Sequence, residues 1–299
     1  MRIVVSGASG LIGTNLVPAL RATGHEVVRL VRREVRAGDE IAWDPAAGSL
    51  DPGALVGTDA VITLSGATIG RRWTAARKRE ILDSRVDSTS VLARTMASLD
   101  PRPAVLVCAG GVGIYGDRGD EILTERSELG SGFLADVGRA WEGAAAPARA
   151  AGIRVVNFRQ GIVLAREGGA LERLLTPFRL GVGGRVGSGT QWWSWVSLHD
   201  VVSSYRFVLD ADLDGPVDLA SPSPATNAQF TKALGRALGR PTVFPLPEVA
   251  VRTVFGEMGK EVLLGSQRAL PTRLLDAGFA FSDAELDAAF SRIFEPERA

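Results

Sequence analysis

Short apolar runs alternate with longer amphipathic stretches through the first 165 residues of the chain. The short runs are apolar throughout instead of alternating with polar positions, which is typical of strands covered on both faces. They predict strands at 2–6, 25–31, 60–65, 104–109 and 153–159. The amphipathic stretches predict helices at 11–24, at about 74–98 and from 131 onward. Because strands that alternate with helices require right-handed crossovers, we predict an α/β fold with a doubly wound parallel sheet.

The turn after the first predicted strand has the sequence SGASGLIG (6–13), with glycines at 7, 10 and 13. The first glycine permits a tight turn, the second lets the backbone approach a pyrophosphate, and the third lets the helix lie close to the strand. A pyrophosphate here would also meet the N-terminus of the helix. The pattern therefore predicts a Rossmann dinucleotide site. Its predicted contacts are Gly7, Ser9, Gly10, Leu11, Ile12 and Gly13.

The end of the second strand indicates which dinucleotide binds. An NAD site places Asp or Glu there for the ribose 2′-hydroxyl, but this strand ends in RLVRRE, with Arg32 and Arg33. Guanidinium groups suit a 2′-phosphate, so we predict NADP(H) as the cofactor. Further predicted cofactor contacts, at strand ends and on the helix of 74–98, are Leu64, Ser65, Gly66, Arg85, Ala109 and Gln160.

The second part of the chain differs from the first in amino-acid composition. Residues 181–197 are rich in glycine and then in tryptophan, and residues 221–227 form a polar loop. Asn227 is the predicted N-cap of the helix that follows. We therefore predict an NADP-binding domain at 1–165 and a smaller C-terminal α/β lobe at 166–299, packed on the substrate side of the sheet.

Composition and charge exclude several other classes of protein. The formal net charge is zero and the pI is about 6.8, so no global basic field exists for nucleic acid or an anionic membrane. Cys108 is the only cysteine, and the two histidines lack ligand spacing, so we predict no disulfide and no metal. With no long apolar stretch and no signal peptide, we predict a cytoplasmic protein. The partner we expect is a small-molecule substrate, and we keep a homodimer open.

Further motifs follow the glycine turn over nearly the full length of the chain. They are DAVITLSGATIGRRWT, SRVDST, GIYGDRGDEILTE, FLADVGRAWE, FRQGIVLAREGGAL, GSGTQWWSWVSLHDV and GEMGKEVLLGSQRALPTRLLDAGFAF. Together they resemble an extended, atypical short-chain dehydrogenase/reductase of the NAD-dependent epimerase/dehydratase superfamily. More narrowly, they resemble the epimerase family proteins that end in a small domain of unknown function. The resemblance implies a Rossmann core, a cofactor at the C-terminal ends of the strands and a substrate cleft under the second lobe.

The catalytic groups that such families generally carry are absent from this sequence. The resemblance implies a Tyr-x-x-x-Lys pair on the helix that begins near residue 131, but Phe133 and Val137 occupy those positions. A shift by one residue gives Leu134 and Gly138, which cannot transfer protons either. The position of the usual serine falls on Gly110 or Gly111. The resemblance therefore implies the cofactor site without the standard acid–base mechanism.

Two functions remain open on the sequence alone. The first is an NADP(H)-dependent oxidoreductase or epimerase that uses another acid, for which Tyr115 is the best candidate because it follows the fifth strand. Nearby carboxylates and a histidine are weaker candidates: Asp117, Asp120, Asp136 and His199. The second function is an NADP(H)-binding sensor or regulator without turnover.

A tryptophan-rich segment predicts the substrate cleft. Indole rings offer flat apolar walls that each carry one hydrogen-bond donor, which suits a flat or aromatic ligand. The predicted cleft residues are Gln191, Trp192, Trp193 and Trp195.

Overall fold

The computed structural model describes residues 1–295 and contains a seven-stranded parallel sheet with helices on both faces. The strands are β1 (Arg2–Ser6), β2 (Glu26–Val31), β3 (Glu40–Ala42), β4 (Ala60–Thr63), β5 (Val105–Cys108), β6 (Ile122–Leu123), β7 (Arg154–Gln160), β8 (Ile162–Leu164), β9 (Trp192–Trp193), β10 (Trp195–Ser197), β11 (Gly215–Leu219), β12 (Ala225–Thr226) and β13 (Arg268–Ala269). The helices are α1 (Leu11–Ala22), α2 (Ala75–Ala97), α3 (Phe133–Gly143), α4 (Ala146–Ala150), α5 (Gly169–Arg179), α6 (Leu198–Asp210), α7 (Asn227–Leu238), α8 (Glu248–Met258), α9 (Thr272–Asp276) and α10 (Leu286–Phe294).

The main sheet has the strand order β11-β7-β5-β4-β1-β2-β3, and all of its neighbouring strands are parallel. The order reverses at β1, which pairs with β2 on one side and with β4 on the other. In open α/β sheets, ligands bind beside the C-terminal ends of the strands at such a reversal. The predicted doubly wound parallel sheet is confirmed, and the glycine turn follows the strand at the reversal.

The sheet extends beyond the part of the chain that the sequence assigned to it. We predicted strands between residues 2 and 159, but β11 from the second part forms the outermost strand beside β7. Helix α6 belongs to the same layer, because Val201, Tyr205 and Val208 lie in the core that covers one face of the sheet. The boundary predicted at residue 165 is therefore too early for the sheet. The chain leaves the sheet after β7 and returns to it with α6 and β11.

Two apolar cores hold the helices to the faces of the sheet. One face packs against α1 and α6, where Leu16, Leu20 and Val208 are fully buried. The opposite face packs against α2 and α4, where Leu92 and Ala148 are fully buried. The continuous burial of β1, β4, β5 and β7 agrees with their unbroken apolar sequences.

The remainder of the chain forms a smaller unit with its own core. Trp195, Phe230 and Phe290 are almost fully buried in it. Helix α7 begins one residue earlier than predicted, because Thr226 is its N-cap and forms a capping box with Gln229. Asn227, which we predicted as the N-cap, instead uses its Oδ1 to accept a hydrogen bond from the backbone N–H of Val186 at 2.7 Å.

Candidate cofactor and active site

The three glycines of the turn have separate structural roles. Gly7 has a φ of +71°, and a Cβ there would lie 2.7 Å from the carbonyl carbon of Leu64. A Cβ on Gly13 would lie 2.5 Å from the Cα of Ala8. The Cβ of a residue at position 10 would meet nothing closer than the Gly7 carbonyl oxygen at 3.4 Å. Gly7 and Gly13 therefore keep the turn compact, whereas Gly10 leaves space on the open side of the turn.

The N-terminus of α1 fits an anionic group. Gly10 is its N-cap and supplies no side chain, and the first turn contains no acidic residue. Ser9 and Gly10 are exposed. The first N–H groups of a helix have no partner within the helix and carry partial positive charge. The turn therefore offers uncapped backbone donors in open space, which are the donors that bind a pyrophosphate in a Rossmann fold.

Three predicted contacts in or beside this turn have side chains that pack against the protein, so they can offer a cofactor only their backbone. Ile12 and Leu64 pack their side chains against the core beneath the sheet face. The side chain of Leu11 lies against α5 and the residue before it, since a Cβ on Gly168 or Gly169 would meet its δ-carbons at 3.3 or 3.0 Å. The second unit of the chain thus contacts the glycine turn directly.

The two arginines after β2 differ in what they contact. The guanidinium of Arg33 forms two hydrogen bonds with the carboxylate of Glu40, at 2.9 and 2.7 Å. The Arg33 guanidinium holds the pKa of this carboxyl at about 2, well below its usual value, and the backbone N–H of Arg36 contributes. Arg32 is exposed, and no hydrogen bond or ion pair joins it to another residue of 1–295. Arg32 is therefore the side chain of this pair that remains available to a ribose phosphate.

Helix α2 places a cation, Arg85, against the loop after β4, and no carboxylate among the described residues pairs with it. The Nη1 of Arg85 donates to the carbonyls of Ala67 and Ile81, at 3.0 and 2.9 Å, and its Cζ lies 4.9 Å from the Trp141 ring centroid. Burial, together with the charge of Arg77, lowers the pKa of Arg85 to about 10. A buried guanidinium bonded only by carbonyls has charge available for a ligand anion.

Four further predicted contacts lie at or near strand ends. A Cβ on Gly66 would lie 3.0 Å from the Cζ of Arg85, so this glycine allows the guanidinium to lie over the loop. Ser65 donates its hydroxyl to Ser6 at 3.0 Å, and the backbone N–H of Ala109 donates to Thr63 at 2.9 Å. Gln160 is 9% exposed, and its Nε2 donates one hydrogen bond to the Tyr205 hydroxyl at 2.8 Å, so its amide oxygen and its second N–H remain for a ligand.

The positions of the absent catalytic pair lie in an apolar cluster. The Phe133 ring packs edge-on against Trp73, with centroids 4.9 Å apart, and Val137 is buried beside Ile81 and Met258. No proton can be transferred by either residue. The serine position is equally unsuitable at Gly110, where a Cβ would lie 2.2 Å from the Phe158 carbonyl oxygen.

The geometry around Tyr115 does not support the catalytic role that we predicted for it. The residue has no exposed surface, and its hydroxyl contacts the Asp218 carboxyl at 2.8 Å, the Thr124 carbonyl at 3.0 Å and Nη1 of Arg159 at 2.9 Å. Burial, with the charge of Asp218, raises the pKa of Tyr115 far above its usual value. The ring is part of the buried framework beneath β7 and β11, and we do not propose it as a proton donor.

The buried network around Tyr115 has a defined protonation state. Burial, together with the charge of Glu125, raises the pKa of Asp218 well above its usual value. A protonated Asp218 can donate to the Tyr115 oxygen while Tyr115 donates to Thr124 and accepts from Arg159. An ionised Asp218 would compete with Thr124 for the single Tyr115 proton. All contacts are therefore satisfied at once only when Asp218 is neutral.

We expect Asp218→Asn to be increasingly favourable as the pH rises. A raised folded-state pKa means that the wild type is stabilised below the unfolded pKa of about 3.9 and loses that stability above it. The variant lacks this ionisable group. The difference between its free energy of unfolding and that of the wild type should therefore increase by up to about 1.4 kcal/mol per pH unit above pH 4. Urea unfolding between pH 4 and 8 measures this difference. Asp136→Asn, at an exposed carboxylate, is the matched control and should give a nearly flat difference.

The remaining acid–base candidates lie in structural contacts or at the surface. Asp117 accepts from the backbone N–H of Ser266 at 3.2 Å, and Asp120 accepts from the Trp192 indole at 2.8 Å. Asp136 pairs with Arg139 on α3. His199 is exposed on α6, and its side chain forms no hydrogen bond with another residue of 1–295. These geometries give none of the four residues a catalytic role.

The predicted tryptophan cleft is wrong for three of its four residues. Trp193 and Trp195 are 5% and 0% exposed and lie in the core of the second unit. Gln191 is buried and donates to the carbonyls of Val186 and Leu263, at 3.1 and 3.0 Å. Trp192 is half-buried and lies under the Arg268 guanidinium, 4.1 Å from its Cζ. Consecutive strand residues point to opposite faces, which separates Trp192 from Trp193.

Three residues that sequence reasoning did not select meet at the start of α3. The Glu261 carboxylate accepts the backbone N–H groups of Phe133 and Leu134, both at 2.9 Å. Lys78 lies over the Phe133 ring and pairs with Glu257. Both glutamates come from a segment more than 120 positions along the chain, so local patterns could not bring them to α3. The sequence did contain one signal that points to Lys78: lysine is scarce, and the chain has three.

The strand order, the reversal at β1 and the uncapped glycine turn define a dinucleotide-binding Rossmann protein. The model of the NAD dependent epimerase/dehydratase family matches residues 3–218, and residues 246–293 match a domain of unknown function, DUF1731. The chain belongs to this epimerase family. The second match lies in the C-terminal unit and includes Glu257 and Glu261.

Similar proteins match nearly the whole chain. The epimerase family protein Mb2239 of Mycobacterium bovis is 46% identical over 281 residues, which is 93% of each chain. The crystal structure of human epimerase family protein SDR39U1 (isoform 2) with NADPH is similar with a TM-score of 0.88 and 36% identity, covering 98% of this chain and 99% of that one. The nucleoside-diphosphate sugar epimerase of Corynebacterium glutamicum has a TM-score of 0.81 and 36% identity, covering 97% of this chain and 57% of that one.

Among residues 1–295, no helix combines the length and the apolar character needed to cross a membrane.

Proposed function

We propose that the chain binds NADP(H) at the glycine turn and acts as an oxidoreductase or epimerase on a small molecule. The observation that carries the proposal is the uncapped N-terminus of α1 beside Arg32, an exposed arginine where an NAD site has an acid. The NADPH in the crystal structure of human SDR39U1 supports the same cofactor. NADP(H) would supply or accept the hydride, and the residues of the chain would bind and orient it and manage the proton.

Several residues fit the parts of the proposed cofactor. The N–H groups of Leu11 and Ile12 would donate to the pyrophosphate, Gly10 leaves room for it, and Arg85 would offer a positive charge. Arg32 would bind the 2′-phosphate. Arg33 contributes mainly by neutralising Glu40, which would otherwise repel that phosphate.

Arg32→Ala should weaken NADPH binding about tenfold or more and leave NADH binding nearly unchanged. A hydrogen bond to a charged group is worth roughly 1.5–3 kcal/mol, and only NADPH carries the 2′-phosphate that accepts it. Calorimetric titration of both nucleotides measures the two affinities. Arg33→Ala is the variant to compare with Arg32→Ala. It removes the arginine that pairs with Glu40, so it should also lower the thermal stability of the protein. Equal losses for NADPH and NADH in Arg32→Ala would refute the assignment of the 2′-phosphate to this arginine.

A second function, an NADP(H)-binding sensor without turnover, is favoured by the apolar cluster at Phe133 and Val137. For such a sensor we expect NADPH oxidation with generic alcohols, ketones and sugar nucleotides to be very slow, because positioned acid–base catalysis is typically worth about 10²–10⁴ in rate. Absorbance at the NADPH band, with saturating cofactor and a metabolite panel, measures this. Rates ordinary for dehydrogenases on generic substrates would contradict the expectation. A complete lack of turnover across the panel, with tight NADPH binding, would favour the sensor.

A further inference from the structure

Two carboxylates from the C-terminal segment converge on the first turn of α3. Helix α8 breaks at Gly256, where φ is +60° and ψ is −137°, and a π-helical turn follows at Gly259–Leu263. The break directs Glu257 to Lys78, with 2.5 Å between Oε1 and Nζ. The π-helical turn directs Glu261 to the N–H groups of Phe133 and Leu134. Irregular helical geometry of this kind is frequent at functional sites.

Lys78 lies beside the residue that occupies the position of the absent tyrosine. Its Nζ is over the face of the Phe133 ring, 4.7 Å from the centroid, and the same ring packs edge-on against Trp73. The Lys78 side chain is 32% exposed, so its ammonium is accessible to a ligand. The other two lysines, Lys232 on α7 and Lys260 in the π-helical turn, are both exposed and do not contact this ring.

We propose that Lys78 is the proton donor and acceptor of this protein, in place of the absent Tyr-x-x-x-Lys pair. Glu257 acts as its positioning residue. The proposal rests on the proposed NADP(H)-dependent function. In the reductive direction, the substrate carbonyl carbon gains a hydride equivalent from the reduced nicotinamide, and the carbonyl oxygen gains a proton from the Lys78 ammonium. The resulting neutral amine recovers its proton from solvent, and oxidation of an alcohol runs the same steps in reverse.

The contacts of Lys78 suit this role. The Glu257 carboxylate and the face of the Phe133 ring both attract a cation. Together they hold the Lys78 ammonium beside the ring. Glu261 accepts the backbone N–H groups of Phe133 and Leu134 and so fixes the first turn of α3, which carries the ring. The alternative is a surface ion pair that braces α8 against α2, and such exposed pairs contribute at most about 1 kcal/mol.

Lys78→Arg separates these two roles. Arginine keeps the charge, the pairing with Glu257 and the contact with the ring, but it does not release its proton at ordinary pH. With 9,10-phenanthrenequinone as the oxidising probe and saturating NADPH, we expect Lys78→Arg and Lys78→Met to lower the rate of NADPH oxidation about 10²–10⁴-fold. Their NADPH affinity should stay within about twofold of the wild type. Lys232→Met is the matched control and should keep the full rate.

A second measurement does not depend on turnover. Reductive ¹³C-methylation of a chain with three lysines gives three lysine resonances, which Lys78→Arg and Lys232→Met assign. Addition of NADP⁺ should shift the Lys78 resonance and leave the Lys232 resonance in place, and Glu257→Gln should change the chemical shift of the Lys78 resonance alone. If calorimetry finds NADP⁺ bound while the Lys78 resonance does not move, or if Lys78→Arg retains the wild-type rate, the proposal for Lys78 is overturned and NADP(H) binding stands. If NADP⁺ does not bind at all, the proposed function fails and the role of Lys78 fails with it. If the wild type does not oxidise NADPH with this probe, the resonance shifts alone decide.

Discussion

Gly10→Asp should abolish NADP(H) binding, with a loss of affinity of at least about 100-fold, while the folded protein becomes no less stable. The backbone at Gly10 is extended, with φ −83° and ψ 175°, and a Cβ meets only the Gly7 carbonyl oxygen at 3.4 Å, so a side chain fits. Asp is among the best N-caps, worth about 1 kcal/mol over an uncapped start. The same carboxylate would occupy and repel the position of a pyrophosphate. Calorimetry with NADPH and thermal unfolding measure the two effects.

Gly10→Ser is the matched control for this change. It also caps α1 but adds no charge, so its loss of affinity should be clearly smaller than that of Gly10→Asp. A stable Gly10→Asp variant that still binds NADPH with wild-type affinity would mean that the pyrophosphate lies elsewhere. A Gly10→Asp variant that unfolds would contradict our description of the turn.

Arg159→Met should lower the free energy of unfolding by roughly 3 kcal/mol or more, because removal of one partner leaves buried charge uncompensated. Arg159 is 4% exposed and forms hydrogen bonds with the Glu142 carboxylate at 2.7 and 3.0 Å and with the Tyr115 hydroxyl at 2.9 Å. Methionine keeps much of the length but offers no donor to either partner. Urea unfolding at pH 7 measures the loss.

The control for Arg159→Met is Arg139→Met, which removes an arginine paired with an exposed carboxylate on the surface of α3. Surface pairs contribute a median of about 0–1 kcal/mol, so this variant should remain close to the wild type. Similar losses in the two variants would show that the network around Tyr115 does not carry the stability that we assign to it.

The local features of the fold could be predicted from the sequence because each depends on a few neighbouring residues. The strands at β1, β4 and β5 are short apolar runs, and Gly7, Gly10 and Gly13 occupy fixed steps along a single turn. The absence of catalytic groups at Phe133 and Val137 could also be read directly, since the type of a residue is known without its surroundings. These features concern covalent neighbours and backbone geometry.

The features that the sequence did not predict depend on contacts between distant parts of the chain. Strand β11 reaches the edge of the sheet only after α6 has returned to it, and no local pattern assigns a strand to one unit or another. Trp193 and Trp195 have the composition of a ligand site, but their burial follows from packing on Phe230 and on neighbouring helices. Tyr115 likewise follows a strand at the active-site edge, yet Asp218 and Arg159, both more than 40 positions away, hold its hydroxyl in the interior.

The most direct test of the central claim is a calorimetric titration of the wild-type chain with NADPH and, separately, with NADH. We predict one NADPH bound per chain, with an affinity at least about tenfold higher than that for NADH, because Arg32 stands where an acidic residue would bind the ribose. Equal affinities for the two nucleotides, or no binding of NADPH, would contradict the assignment of NADP(H) as the cofactor.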